Sequence, residues 1–476
     1  MRKLGAFEAL LVVGALTAVG LRAWTLAGPI GGLDSDEAVW GLMARHVLEG
    51  ELPAFFWGQN YGGTQETLLT APVFAAAGAT PTTVRIVPIG LFAVAAFLVW
   101  RLGRRTVGES AGRLAAVLFA LWPAYLVWKS TRAHGFYGSM LVLGVLTLLL
   151  AVRLAERRSR MDAALFGLVL GLGWWATPQI AFVAVPALLW LLWKRRADLA
   201  WGWPAVPALV AGAAPWLVWN LKHGWVSLET PFEPGGDTYI DHLRTFFYAT
   251  FPTILGVRAP FSLEWLTGEA IGRLAEVLML ALLAWLLVRR GGNRSLLAVV
   301  AALYPLLQSL SSFGSLNEEP RYLVLLAPVI ALAIADFLVA SPRRAAAGLA
   351  VLTVLSALGL RAMMVEAHPV PPVGRERVPA DLGPVLHVLE RTGQQRVRAS
   401  YAIAYRITFE SNERVIASST GQVRYRRYQA LVGRTRHPAW VFVHRSDAEK
   451  RSFRDLERSG YRRIVAGDWS VYVYRP

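Results

Sequence analysis

Asp34, Ser35, Asp36 and Glu37 stand together directly after the first long apolar stretch, at the head of a segment that runs to about residue 80. Carboxylates crowded in this way can accept a proton from a hydroxyl group or hold a cation. The cluster also has a purely structural reading. Ser35 is a good helix N-cap, and acidic residues in a first helical turn oppose the helix dipole whatever their function. Residues 36–49 read as that helix, with Val39, Trp40, Met43 and Val47 on one face and Arg45, His46 and Glu49 off it. Glu66 is a further carboxylate, or a first-turn residue of a helix capped by Thr64. Between the two lies an aromatic, glycine-rich stretch, residues 55–63, that contains Tyr61 and suits the level of lipid headgroups.

Complementary cations come from later segments: Lys129, Arg132 and His134 in one short loop, Arg321 just before another apolar stretch. A carboxylate can remove the proton of an acceptor hydroxyl while a neighbouring arginine stabilises a departing phosphate through paired hydrogen bonds. Together these groups meet the requirements for moving a sugar from a lipid phosphate to an acceptor. Each has a competing structural account. Lys129, Arg132 and His134 fit snorkelling side chains at a span end, Arg321 fits a surface pair with Glu318 or Glu319, and Asp336 fits a pair with Arg343 or Arg344 at a span's inner end. The sequence contains no HExxH, CxxC, P-loop or strand-linked glycine-rich nucleotide motif. Lack of a nucleotide motif suits a donor that arrives as a lipid.

The elements that position these groups are membrane spans. Of 476 residues, 55% are hydrophobic and 17% charged, against roughly 45–50% and 25% in soluble domains. Apolar runs of about twenty residues recur until about residue 365, and none follows. The first run lacks a small-residue cleavage site and reads as a retained span. The net charge of +17 falls in short clusters between apolar runs and in an arginine-rich tail, a pattern of membrane orientation and solvated surface that argues against nucleic acid as a partner. With no cysteine, disulfide and thiol chemistry are excluded.

Arg2 and Lys3 place the N-terminus in the cytoplasm. About eleven spans then put Arg104/Arg105, Arg157/Arg158, Arg195/Arg196, Arg289/Arg290 and Arg343/Arg344 on one side and the acidic loop on the other. The expected fold is mainly α: a polytopic transmembrane bundle over residues 1–365 with an exoplasmic first loop at about 28–82, then a small exoplasmic α/β or α+β domain over 366–476. In that domain residues 396–403, 414–417, 440–443 and 469–474 read as strands, and 381–391 and 446–459 as helices.

Ser35-Asp36-Glu37-Ala38, an acidic pair opening the first loop after the first span, resembles the signature of the GT-C superfamily of membrane glycosyltransferases. Within it, residues 36–50 are similar to the family-39 branch that includes protein O-mannosyltransferases and the aminoarabinose transferase of lipid A. Tyr61-Gly62-Gly63-Thr64-Gln65-Glu66, Gly173-Trp174-Trp175, Asn220-Leu221-Lys222-His223-Gly224, Pro320-Arg321-Tyr322-Leu323 and residues 404–411 extend the likeness along the chain. The resemblance implies Asp36 as general base, Glu37 as its neighbour and Arg321 as a donor-phosphate contact. It implies an inverting enzyme of the plasma (inner) membrane that uses a polyprenyl-phosphate sugar. Asp34, Tyr61, Glu66, Lys129, Arg132 and His134 complete the expected substrate-binding set. Phe136-Tyr137-Gly138-Ser139 stands where the resemblance leads one to expect a further acidic residue. Superfamily members differ in whether they use a divalent cation, so a metal site stays open, as do the sugar and the nature of the acceptor, a glycan, a lipid or a protein. A transporter of lipid-linked saccharides and a non-catalytic scaffold are the competing functional classes; a transporter is expected to carry ionisable groups near the middle of several spans.

Overall fold

The computed structural model describes residues 5–195, 200–229, 238–288, 292–311, 320–366 and 378–475. The first half contains α1 (Ala6–Ala27), α2 (Ser35–Leu48), α3 (Gln65–Ala77), α4 (Ile86–Thr106), α5 (Glu109–Leu121), α6 (Ala124–Lys129), α7 (Tyr137–Glu156), α8 (Arg160–Ala176) and α9 (Ala181–Lys194). There follow α10 (Ala205–Gly212), α11 (Ala214–His223), α12 (Tyr239–Thr245), α13 (Phe251–Ile254), α14 (Glu269–Val288), α15 (Arg294–Ser309), α16 (Ala327–Leu338) and α17 (Pro342–Glu366).

Every apolar run expected to span contains helix, yet the helices are not uniform. Among the described residues four are long and apolar enough to cross a membrane, Ala6–Ala27, Thr83–Thr106, Tyr137–Glu156 and Pro342–Val365. A fifth is gained if Ala200–Gly212 and Ala214–His223, bent by 54°, form one broken span. The apolar run at about residues 111–128, expected as the third span, is split at Trp122 and Pro123 into α5 and α6, because proline lacks the N–H that would continue the helical ladder. Exposed aliphatic side chains such as Val13, Leu16 and Val19 on α1, Leu189 on α9, Val277 and Leu278 on α14 and Val351 on α17 present apolar surface outward, as a hydrocarbon surround requires.

Of the segments expected on the arginine-rich side, those around residues 105, 156 and 195 are linked to one another and to Asn293, while Arg196, Arg289 and Arg290 lie outside the described residues. Arg105 pairs with Glu156, Asn293 Nδ2 donates to Arg105 O at 3.1 Å and to Glu156 Oε1 at 2.9 Å, and Arg195 Nε donates to Leu154 O at 3.3 Å. Asp336 corrects the expectation: its partner is Arg294, at 2.9 Å, and not Arg343 or Arg344. Glu318 and Glu319, expected partners of Arg321, lie outside the described residues.

The C-terminal segment contains α18 (Gly383–Arg391), β1 (Arg396–Ala399), α19 (Tyr401–Glu410), β2 (Ile416–Ser419), α20 (Arg426–Gly433), β3 (Ala439–Val443), α21 (Asp447–Arg458), β4 (Tyr461–Ala466) and β5 (Trp469–Tyr474). Its five strands form one mixed sheet in the order β2-β1-β3-β5-β4, with β1 parallel to β2 and β3 and the β4–β5 hairpin antiparallel. Three elements depart from expectation. The strand read over 396–403 ends at Ala399, and α19 begins two residues later. Its positions Tyr401 to Phe409 are all buried, so no apolar-polar period marks it as a helix. The helix α20 and the edge strand β4, in which Arg462 and Arg463 are exposed, were not expected as elements.

Between α8 and α10 the packing is backbone to backbone. A Cβ on Gly167 would lie 1.9 Å from Ala205 O, on Gly171 2.1 Å from Leu209 O, and on Gly212 2.4 Å from Leu168 O. Small residues four apart allow such close approach. Gly171→Ala is therefore expected to destabilise the protein by about 1–3 kcal/mol, read as thermal unfolding in detergent. Gly90→Ala, where an added Cβ meets nothing within 4 Å, should hold or raise stability, by about 0.4–1 kcal/mol. Equal effects would show that the seam does not hold the two helices.

Candidate active site

Two carboxylates of the acidic cluster turn into the protein. Asp34, and not Ser35, is the N-cap of α2: its Oδ1 accepts from Glu37 N at 2.9 Å while Glu37 Oε2 accepts from Asp34 N at 3.2 Å, a reciprocal capping box. Ser35 Oγ donates instead to Tyr401 O at 2.7 Å. Glu37 is fully buried and its acceptor sites are occupied. Arg85 donates Nε and Nη2 to its two oxygens, both at 2.9 Å, Arg132 Nη2 lies 2.8 Å from Oε2, and Ala133 N donates to Oε1 at 3.1 Å. The arginines also bind backbone of the preceding turn, Arg85 Nη1 to Gly31 O at 2.7 Å and Arg132 Nη1 to Gly32 O at 2.5 Å. Burial opposes ionisation of Glu37, but Arg132 and Arg85 hold its carboxyl below the usual range. Asp34 is likewise buried and held down by His134 and Arg132.

Asp36 points the other way. Its side chain, 41% exposed, lines a cavity of about 60 Å³ together with Trp40, Phe56, Gln59, Tyr61, Lys129, His134, Phe136, Tyr137, Gln179, Arg321, Tyr322 and Arg424. The structure thus brings together Asp36, Tyr61, Lys129, His134 and Arg321 from the expected set. It places Asp34, Glu37, Glu66 and Arg132 outside this lining, as supports. Lys129 and Arg132 are buried, at 7% and 2% exposure, so neither is a snorkelling residue. Lys129 Nζ donates to His134 Nδ1 at 2.7 Å, and His134 Nε2 in turn bonds Asp34 Oδ2, so the cavity wall is tied to the buried cluster. Glu66 Oε1 accepts from Ser139 N at 2.9 Å, at the start of α7. Burial pushes its carboxyl up to about 7, partly offset by the backbone N–H groups of Ser139 and Gly138. Thr64 precedes α3 but donates to Pro53 O at 2.6 Å and makes no side-chain cap. Among the described residues no group of three or more His, Asp or Glu side chains is placed to hold a metal ion, and the positive charge facing Asp36 comes from Lys129, Arg321 and Arg424.

The cavity is closed by the C-terminal segment, through Tyr401 and Arg424, neither of which was expected as a site residue. Tyr401 Oη donates to Asp36 Oδ1, Arg424 Nε donates to Tyr401 Oη at 3.1 Å, and the Arg424 guanidinium lies 4.8 Å from the Phe56 ring centroid. The seam continues along α2, whose residues are buried on nearly every face. Arg45 pairs with Glu413 at 3.4 Å. His46 lies between Glu413, at 3.1 Å, and Glu51, at 3.0 Å, and Trp57 stacks on Tyr425 with centroids 4.0 Å apart. Arg85 had one signal in the sequence: an arginine at the outer end of a span departs from the positive-inside pattern. Arg424 had none, being one arginine among many in the tail.

Beside this cavity an apolar groove of about 620 Å³ runs between residues 52–59 and α8 and α11, lined by Phe55, Trp57, Trp175 and Trp219 among others and sharing Phe56 and Gln59 with the cavity. Lys222 and His223 also line it.

Residues 67–219 match the model of the dolichyl-phosphate-mannose-protein mannosyltransferase family. Among curated proteins no sequence matches. Of solved structures, ArnT from Cupriavidus metallidurans bound to undecaprenyl phosphate is similar at a TM-score of 0.62 and 12% identity, over 98% of this chain and 99% of that one. The same protein in its apo state gives 0.59 and 12%, over 99% and 100%. An oligosaccharyltransferase from Archaeoglobus fulgidus in complex with zinc and sulfate gives 0.50 and 13%, over 98% and 73%. The chain has the GT-C fold of the PMT/ArnT-like membrane glycosyltransferases and is an integral membrane protein.

The seam around His46 titrates from both sides. Burial opposes charge on His46, but its pairing with Glu413 and Glu51 holds its pKa above the usual 6.5. Burial also opposes charge on Glu413, yet His46 and Tyr428 hold that carboxyl at about 2, below the usual 4.5. The His46 contribution is full below 6.5 and is lost as pH rises through its folded value; the Glu413 contribution is present above 4.5 and is lost as pH falls toward about 2. Thermal stability is expected to peak between those two values, with Glu413→Gln flattening both limbs. An unchanged pH profile in Glu413→Gln would remove this pair from the seam's energetics.

Proposed function

We propose that the protein transfers a sugar from a polyprenyl-phosphate donor to an acceptor hydroxyl, with Asp36 as the general base. One observation carries this reading: of Asp34, Asp36, Glu37 and Glu66, Asp36 alone lines the cavity, and it faces the cations Lys129, Arg321 and Arg424 across it. A buried carboxylate saturated by arginines, as Glu37 is, has no lone pair left for a substrate proton. Asp36 keeps one oxygen outside its bond to Tyr401.

In the transfer, the acceptor oxygen attacks the anomeric carbon and its proton passes to the Asp36 carboxylate. The bond between the anomeric carbon and the phosphate oxygen breaks, and its electron pair leaves with the polyprenyl phosphate. Lys129 and Arg321 face the developing phosphate charge, where fixed cations act without reorganising. Attack opposite the leaving group inverts the anomeric centre. Glu37, Asp34, Arg132 and Glu66 serve by fixing the walls, and His134 and Tyr61 complete the substrate contacts. The apolar groove beside the cavity supports a donor with a hydrocarbon chain, and undecaprenyl phosphate bound to ArnT supports the same class. The sidedness follows from charge. The arginine-rich end is cytoplasmic and the cavity exoplasmic in an inner membrane, with residues 1–365 forming the membrane domain and 366–476 the exoplasmic domain that closes the site.

Purified protein in lipid, given a panel of polyprenyl-phosphate sugars with candidate acceptors, is expected to release free polyprenyl phosphate. Asp36→Asn should lower turnover by about 10²–10⁴-fold without loss of thermal stability. A folded Asp36→Asn protein with wild-type turnover would sink the assignment. Arg321→Ala is expected to raise the donor KM by roughly 10–100-fold, the scale of a charged hydrogen bond; unchanged donor KM and turnover would place Arg321 outside the donor site.

A further inference from the structure

The C-terminal segment reaches the cavity with two side chains, Tyr401 and Arg424, and their arrangement is specific. Tyr401 Oη donates to Asp36 Oδ1 across 365 residues of chain, and its own lone pair accepts from Arg424 Nε at 3.1 Å. Arg424 Nη2 stands 3.8 Å from the same Oδ1. Both residues are buried, at 6% and 8% exposure. Their backbones are tied as well. Ser35 Oγ donates to Tyr401 O at 2.7 Å, and Arg424 N and Tyr425 N donate to Tyr405 Oη at 2.6 Å and 3.1 Å. Gly58, with φ +69°, brings the first loop against Val423, where a Cβ would lie 2.9 Å from Val423 O.

We propose that Tyr401 and Arg424 form a positioning pair for Asp36: Tyr401 occupies Oδ1, Arg424 fixes Tyr401, and Oδ2 is left aimed at the acceptor hydroxyl. The proposal rests on Asp36 being the general base. Its physical content is that a carboxylate held at one oxygen presents the other in one orientation, whereas a free carboxylate on an exposed helix turn samples several rotamers. Tyr401 stays a donor because burial, and next the Asp36 charge, hold its own pKa well above the ordinary tyrosine value. The other ionisable groups around the cavity are Tyr61, Lys129, His134, Tyr137, Arg321 and Tyr322. All of them remain in the variants below. Activity thus depends on the C-terminal segment being docked, since without it Asp36 loses the hydroxyl that orients it.

Tyr401→Phe keeps the ring and the backbone bond from Ser35, so it removes the hydroxyl while leaving the dock in place. With the polyprenyl-phosphate sugar that supports wild-type turnover, Tyr401→Phe is expected to lower kcat roughly 10–100-fold with the donor KM within about twofold. Arg424→Lys, which keeps the charge but loses the Nε donor, should lower kcat by less, again with the donor KM within about twofold. A merely structural role would change thermal stability without separating kcat from the donor KM. Wild-type kcat in both variants, beside an inactive Asp36→Asn, would overturn the pair alone; a fully active Asp36→Asn would instead remove the general base on which the pair rests.

Discussion

The arrangement depends on one buried ion cluster, the Glu37 carboxylate between Arg85 and Arg132. Removing a carboxylate and two guanidiniums from water costs several kcal/mol per ion, and only good geometry with further hydrogen bonds offsets that cost. Here both conditions are met, since Glu37 accepts from two arginines and two backbone N–H groups while the arginines bind the carbonyls of Gly31 and Gly32. The cluster ties four parts of the chain together: the turn after α1, the start of α2, the start of α4 and the loop after α6. Neighbouring residues on an α-helix lie about 100° apart around its axis. Once Glu37 is anchored inward, Asp36 is turned toward the cavity. The proposed general base is thus aimed by its buried neighbour.

A second consequence is that the site belongs to both halves of the chain. The first loop and the C-terminal segment share a core in which Trp40, Met43, Trp57, Tyr405, Phe409 and Tyr428 are buried together. Asp36 therefore receives its hydrogen bond from a residue that a membrane bundle alone would lack, and Arg424 joins Lys129 and Arg321 to make the cavity cationic opposite a single carboxylate. That charge pattern suits a phosphate leaving group and a base that must stay ionised beside it.

Much of this was legible in the sequence, and the remainder has identifiable reasons. Hydropathy located the long apolar runs because apolar length is a local signal, while breaks such as the one at Trp122 and Pro123 made the number of full-length spans harder to read. Chemistry-bearing residues were legible as a set, since Asp36, Tyr61, Lys129, His134 and Arg321 do converge. Their division of labour was not. Asp34, Asp36 and Glu37 look alike as residue types, and only the positions of Arg85 and Arg132 separate a buried, paired carboxylate from the one that lines the cavity. Long-range docking left no local trace either. His46 reads as a polar-face residue of an amphipathic helix, yet it is 3% exposed because the tail covers that face. The helix α19 hid for the same reason: buried along its length, it carries no polar stripe.

A cryo-electron microscopy structure of the protein in a nanodisc with bound polyprenyl phosphate would show whether a lipid-linked phosphate occupies this cavity opposite Asp36. The phosphate is expected within hydrogen-bond distance of Lys129 and Arg321, with Glu37 still clasped by Arg85 and Arg132 and the prenyl chain leaving the cavity along apolar surface. A phosphate bound away from Lys129 and Arg321, or a Glu37 released from its arginines to meet the ligand, would contradict this expectation.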